Sequence, residues 1–217
     1  MNSTGKNPAV DQKKRTKKIL IWVLSIVVGT VVLFYSANAV VTKVRDGKSE
    51  ETHGQSYVFY PADYDVNIME DKEYLDLDRS IYYYDPSTGM TSNSFDDVPS
   101  SYNQFAAAIA DYLNYAIEGK YKAINSMFSD LYYENGGKDK IEFTQQRLYD
   151  MLISYNGPTE GREDSFVFTV EYKIMKNDGT FRSDMGSDCS KKEIFTVTLY
   201  DDEVEIDSIV VFRTVQK

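Results

Sequence analysis

From residue 19 to residue 42 the chain carries no charged side chain, and directly ahead of that run stand Lys13, Lys14, Arg15, Lys17 and Lys18. As a helix, the 23 residues 19–41 make a rod about 34 Å long, enough to cross a hydrocarbon core of about 30 Å with modest tilt. Such a segment reads as a membrane-spanning helix. It divides the chain into a basic tail (1–18), a transmembrane helix (19–42), a polar stalk (43–56) and a domain (57–217). The tail holds six Lys or Arg against one acid, net +5, and the other 199 residues hold 18 basic and 33 acidic side chains, net −15. Basic residues beside a spanning helix stay on the cytoplasmic side. The expected topology is a single-pass membrane protein with its N-terminus cytoplasmic and its C-terminal domain extracytoplasmic. The competing reading is a cleavable signal peptide ending at Ala37-Asn38-Ala39. The apolar part, 17 residues from 19 to 35, exceeds the usual h-region of about 7–15, and Trp22 and Tyr35 sit where interfacial anchors belong.

Within the domain, Ile81-Tyr82-Tyr83-Tyr84 and Tyr57-Val58-Phe59-Tyr60 are short aromatic, β-favouring runs. Asp85-Pro86-Ser87-Thr88-Gly89 behind the first is a turn by its residue types. One or two strands or a covering segment are expected over 57–98. Helical spacing begins near Ser101, whose distance from Gln104 is that of a capping box. Phe105, Ile109, Tyr112, Leu113, Ala116 and Ile117 then form one apolar face. Gly119 breaks this helix; Tyr121, Ile124, Met127, Phe128 and Leu131 continue at a new angle until Asn135-Gly136-Gly137. Leu148, Met151 and Leu152 predict a third helix from Thr144 to the Asn156-Gly157-Pro158 stop.

The period then changes to two. Phe166, Phe168, Val170, Tyr172 and Ile174 alternate with Val167, Thr169, Glu171 and Lys173, and Phe195, Val197 and Leu199 alternate with Thr196, Thr198 and Tyr200. Val204, Ile206, Val210 and Phe212 outline a third strand with Ser208 out of phase, and Asp201-Asp202-Glu203 is a tight hairpin turn. Helices followed by an antiparallel meander make an α+β domain in which helices pack on a curved antiparallel sheet, each being the other's cover. The long helix, the Gly119-Lys120-Tyr121 corner and the segment Phe143-Thr144-Gln145-Gln146-Arg147 ahead of the meander resemble the NTF2-like (cystatin-like) superfamily over residues 101–214. That resemblance implies a cone of sheet around helices. It also implies a function among enzymes, binding proteins and assembly modules of bacterial envelope, secretion or conjugation complexes.

The chemistry-bearing residues narrow this choice. The single His, His53, lies in the stalk, so no His-based acid–base scheme operates inside the domain. Cys189 is alone and has neither a disulfide partner nor a neighbouring base. The acidic clusters Glu73/Asp76/Asp78 and Asp201/Asp202/Glu203/Glu205 do not match a calcium loop. A −15 domain repels nucleic acid. No catalytic, metal or cofactor site emerges, and no cofactor is expected. The expected partners are the bilayer, through residues 19–42, and a protein of the cell envelope. Two features have functional flavour. One is the long polar loop 180–192, with Arg182, Asp184 and Asp188, for which an extended ragged hairpin beyond Asn177-Asp178-Gly179 is the plain alternative. The other is the Tyr surplus in Tyr82-Tyr83-Tyr84 and Tyr132-Tyr133, because exposed Tyr is enriched at interfaces. A binding module follows. The alternative is a small-ligand or enzymatic pocket using Asp and Tyr, with Tyr112, Tyr149 and Tyr172 more simply read as core.

Overall fold

A computed structural model describes residues 57–93 and 100–212, without the side chains of 100–103. The expected tail, transmembrane helix and stalk lie outside the described residues, as does the Ser101 side chain of the capping box. Among the described residues no helix is long and apolar enough to cross a membrane.

Six strands form one sheet in the order β2-β1-β3-β4-β5-β6. They are β1 (Ile81–Asp85), β2 (Met90–Ser92), β3 (Arg147–Pro158), β4 (Ser165–Met175), β5 (Glu193–Tyr200) and β6 (Glu203–Val211). The helices are α1 (Lys72–Leu75), α2 (Ser100–Glu118), α3 (Tyr121–Asn125) and α4 (Asp130–Glu134). The fold is α+β as expected, but the sheet is mixed: β1 runs parallel to β3, and the other pairs are antiparallel.

The long helix exists because one face of it is dry. Phe105, Ile109, Tyr112, Leu113 and Ala116 are at most 2% exposed and pack in one cluster with Phe168, Val170, Tyr172, Val197 and Ile206. Phe166, Leu199 and Val204 join that cluster as partly buried members, as the alternation requires. The helix stops at Gly119, whose φ is +72°. There Lys120 N–H reaches Tyr115 O at 2.8 Å and Gly119 N–H reaches Ala116 O at 3.3 Å, the paired bonds of a Schellman end. A Cβ at Gly119 would also stand 3.3 Å from the Gln145 backbone. The apolar spacing after the corner is broken into two short helices, α3 and α4. The turn between them pairs with the outer strand, where Ile206 N–H donates to Met127 O at 2.8 Å and Ser129 N–H to Ile206 O at 3.2 Å.

The third helix expected from Thr144 to Asn156 is strand β3, which lies between β1 and β4. Its register explains the misreading. Tyr149 faces Lys173 and Leu152 faces Glu171, so three steps on β3 match two on β4. The extra residue is a bulge, with Asp150 at φ +52°. Leu148, Met151 and Ile153, all fully buried, therefore step by three and then two along one face. A step of three reads as a helix. A second bulge changes the end of β6: Val197 faces Ile206 but Thr196 faces Ser208. Ile206 and Asp207 are both buried, and Val210 and Phe212, expected inside, are each 55% exposed.

The remaining expectations divide. Asp201 and Asp202, both at positive φ, form the two-residue β5–β6 turn. Asp85 accepts from Ser87 N–H and hydroxyl at 2.9 and 2.6 Å in the β1–β2 turn. Tyr57-Val58-Phe59-Tyr60 is not a strand. It lies along the β4–β5 loop, with Tyr60 N–H on Asn177 O at 3.0 Å.

Candidate binding cleft

The β4–β5 connection, residues 176–192, contains no strand, so the extended-hairpin reading is overturned. Asn177-Asp178-Gly179 does turn, with Gly179 N–H on Asn177 Oδ1 at 2.9 Å. Phe181 leaves the strand direction and enters the core at 6% exposure. Asn177 then organises the loop from inside: its Nδ2 donates to Arg182 O at 2.9 Å and to Met185 O at 2.8 Å. Gly179 and Gly186 let the 57–60 segment come close, since a Cβ on either would stand 3.0 Å from Phe59 or Tyr57 ring carbon.

A buried ionic cluster closes this loop onto the sheet. Arg182 Nε and Nη2 donate to the two Asp184 oxygens at 2.6 and 3.0 Å. Its Nη1 reaches Tyr172 OH and Glu193 Oε2, each at 2.7 Å. Tyr172 OH donates to Glu193 Oε2 at 2.7 Å, and Lys191 Nζ lies 3.0 Å from Asp184 Oδ2. Burial favours neutral Arg182, but Tyr172, Asp184 and Glu193 outweigh it and raise its pKa above the ordinary value. Asp184 is likewise pushed up by burial and held well below the usual carboxylate range by Arg182 and Lys191. Burial, reinforced by Glu193, drives the Tyr172 hydroxyl far up, so it serves as a neutral donor. These groups satisfy one another. They fix the loop and leave no free acid or nucleophile.

The expected interaction residues therefore do not form one surface. Arg182 and Asp184 meet in this cluster, and Arg182, buried at 3%, faces no partner. Asp188 accepts from Tyr149 OH at 2.9 Å. Tyr83 is 1% exposed and lies inside the domain, while Tyr82 and Tyr84 beside it are half-buried. Tyr82 OH donates to Asp78 Oδ2 at 3.0 Å. Tyr132 stacks on Phe128 at 4.0 Å and meets Tyr133 edge-on at 5.4 Å. The β1 tyrosines lie near one edge of the sheet, whereas α4 packs on β6 at the other.

A cleft of about 200 Å³ opens beside the loop. Tyr60, Pro61, Asp63 and Val66 line it from the N-terminal segment, and Thr144, Arg147, Lys176 and Asp178 from the other side. Arg147 is oriented by Asp71, whose Oδ2 accepts its Nε at 2.9 Å. Asp71 itself caps α1 through the Glu73 and Tyr74 N–H groups. Burial raises its pKa, but Lys176, the Tyr74 amide and Arg147 outweigh that and hold it below the ordinary value. Lys176, in left-handed backbone at φ +53°, bonds Glu73 at 2.8 Å and Asp71 at 3.3 Å. Asp178 is committed to Thr180, through Oδ1, and to the Thr144 hydroxyl, through Oδ2. This site is hidden in the sequence because Arg147 falls in the first turn of the helix expected from Thr144, and residues 57–66 have no periodicity. Its one legible signal was the Asn177-Asp178-Gly179 turn.

Among the described residues no group of three or more His, Cys, Asp or Glu is placed to hold a metal ion. No protein-family model, curated protein or solved structure matches the chain.

Proposed function

We propose that this chain is a single-pass membrane-anchored binding module, with residues 1–18 in the cytoplasm and residues 57–217 outside as part of a cell-envelope assembly. The observation that carries the reading is the uncharged run 19–41 between a +5 tail and a −15 remainder. The saturated ionic cluster at Arg182 supports binding over catalysis, because its carboxylates are engaged by cations. We also assign the domain to the NTF2-like superfamily; a 19-residue helix packed on a sheet whose β3–β6 form an antiparallel meander supports that assignment.

Protease added to intact cells or spheroplasts is expected to degrade residues 57–217 and spare an epitope at residue 2. Degradation of the epitope with survival of the domain overturns the orientation. A mature protein beginning at Val40 establishes cleavage after Ala39 instead of an anchor. Crosslinking in intact membranes is expected to trap a protein partner. The second reading, a pocket enzyme, draws on the Glu193–Tyr172 pair, hydrogen-bonded at 2.7 Å. It requires Glu193 to be released by Arg182, and turnover of a small molecule abolished by Glu193→Gln would establish it.

A further inference from the structure

Arg147 is a half-buried cation that its own domain satisfies only in part. Its side chain is 15% exposed, yet only Nε has a protein acceptor; neither Nη atom donates to any described residue. A guanidinium offers a planar fork whose geometry matches two carboxylate oxygens. Here that fork is held by Asp71 and belongs to a residue lining the cleft. Nearby acceptors are already used. Asp71 serves Arg147 and Lys176, and both Asp178 oxygens have hydrogen-bond donors. Asp63 differs: its Oδ1 takes the Asp65 N–H at 3.1 Å, and no described residue donates to its Oδ2.

The charges decide the ligand. Arg147 and Lys176 in the lining are balanced by Asp63 and Asp178, and the flanking Asp71 and Glu73 make the surroundings acidic. A phosphate dianion meets net repulsion in such a site, whereas a carboxylate joined to a nitrogen donor meets a charge of the right sign at both ends. Size agrees. A cleft of about 200 Å³ has room for about seven waters at roughly 30 Å³ each, and is smaller than the roughly 300–1,000 Å³ of drug-sized pockets. One amino-acid residue fits. Tyr60, Pro61 and Val66 supply an apolar wall for a small side chain.

We propose that this cleft captures the α-carboxylate of an amino-acid residue on the free fork of Arg147, with the α-nitrogen donating to Asp63. The source is a free amino acid or the C-terminal residue of a peptide. The proposal rests on reading the domain as a binding module, and it names the ligand class of that module.

The test is calorimetric titration of the full chain in nanodiscs of zwitterionic lipid, with probes at up to about 10 mM, ten times the Kd of a 1 mM site. Alanine represents the free amino acid, and N-acetylalanine the peptide terminus. Alaninamide lacks the carboxylate, and inorganic phosphate is the competing anion. At least one of the first two is expected to bind, and the preferred one identifies the source. Arg147→Lys, which keeps the charge but loses the fork, is expected to weaken that binding tenfold or more in protein whose far-UV dichroism matches the parent. Asp63 is exposed and its Oδ2 unbonded, so Asp63→Asn leaves the fold intact whatever happens at Arg147. It should weaken alanine several-fold and N-acetylalanine less. No binding by either carboxylate probe overturns the proposal, as does alaninamide or phosphate binding as tightly as the better one. Arg147→Lys protein that binds like the parent also overturns it. Both faces of a nanodisc are open to solvent, so these outcomes are independent of the protease result on orientation.

Discussion

Strands β3 and β4 lie side by side and bury side chains in the same core, yet only β4 announces itself in the sequence. On β4 the buried residues Phe168, Val170, Tyr172 and Ile174 step by two without interruption. On β3 the bulge at Asp150 inserts one residue, and Leu148, Met151 and Ile153 reach the same interior by steps of three and two. Burial, and not regularity, is what the two strands share. A bulge hides a strand from periodicity without weakening its hold on the core.

Truncating one buried side chain on each strand tests this equivalence most severely. Phe168 and Met151 are both fully buried. Phe168→Ala is expected to cost about 3–5 kcal/mol and Met151→Ala about 2–5 kcal/mol, read as shifts of the urea midpoint with unchanged slope. If Met151→Ala unfolds at the parent's midpoint, β3 is peripheral and the equivalence fails.

A second test asks how much the irregular loop at the end of β4 contributes. Arg182→Met leaves Asp184 and Glu193 without their shared cation. Breaking a buried pair on one side costs about 3–5 kcal/mol; since Asp184 keeps Lys191 at 3.0 Å, the lower end of that range is expected. Replacing Lys173, on the opposite face of β4 and paired with Asp150 in solvent, is expected to change stability by less than about 1 kcal/mol. Equal midpoints for the two variants would show that the loop cluster is not needed to hold the sheet.

Periodicity carried the regular elements. The dry face of α2, β4, most of β5 and the Asp201-Asp202 turn were legible because each obeys one local rule throughout. The long helix and its inward partners on the sheet followed from the same patterns. What was not legible depends on contacts distant in sequence. Phe212 was placed inside because the bulge between Ile206 and Ser208 shifts the face of everything beyond it. In sequence Arg182 is one more polar residue of a loop, and only the fold brings it to Tyr172 and Glu193. The cleft is a still longer-range construction: Asp71 orients Arg147 from 76 positions away in the sequence.

The β6 bulge makes a prediction in pH. It buries Asp207, whose Oδ1 accepts from Ser129 Oγ at 2.7 Å and Tyr200 OH at 2.9 Å. Its Oδ2 accepts from Thr198 Oγ1 at 2.7 Å and Arg162 Nη1 at 2.8 Å. Burial raises its pKa, but the Thr198, Ser129, Tyr200 and Arg162 bonds outweigh burial and hold it below the ordinary carboxylate value. A carboxylate with a depressed folded pKa stabilises fully above its unfolded value, about 3.9, and loses that contribution as pH falls through the folded one. Thermal stability is therefore expected to drop below about pH 4, and to drop less steeply in Asp207→Asn. Parallel pH profiles for the two proteins would mean that Asp207 is not a source of the slope.

The smallest effect probes the β3 bulge itself. Asp150 sits at φ +52°, a left-handed conformation that is favourable for glycine and strained for most other residues. Asp150→Gly relieves that strain, a gain of up to about 1–2 kcal/mol, less for Asp because its short polar side chain tolerates the region. Against it stand the added backbone entropy that glycine gives the unfolded chain, about 0.5–1 kcal/mol, and the loss of the Asp150–Lys173 bridge. That bridge is 2.8 Å long, with side chains 47% and 36% exposed, and an exposed pair of this kind contributes about 0–1 kcal/mol. The terms nearly cancel, so the midpoint should stay within about 1 kcal/mol of the parent. Asp150→Val has no such compensation. A β-branched side chain is poorly accommodated at positive φ, so this variant should be less stable than the glycine one. If valine is instead the more stable of the two, residue 150 lies in ordinary extended backbone, β3 is a regular strand, and the contrast with β4 disappears.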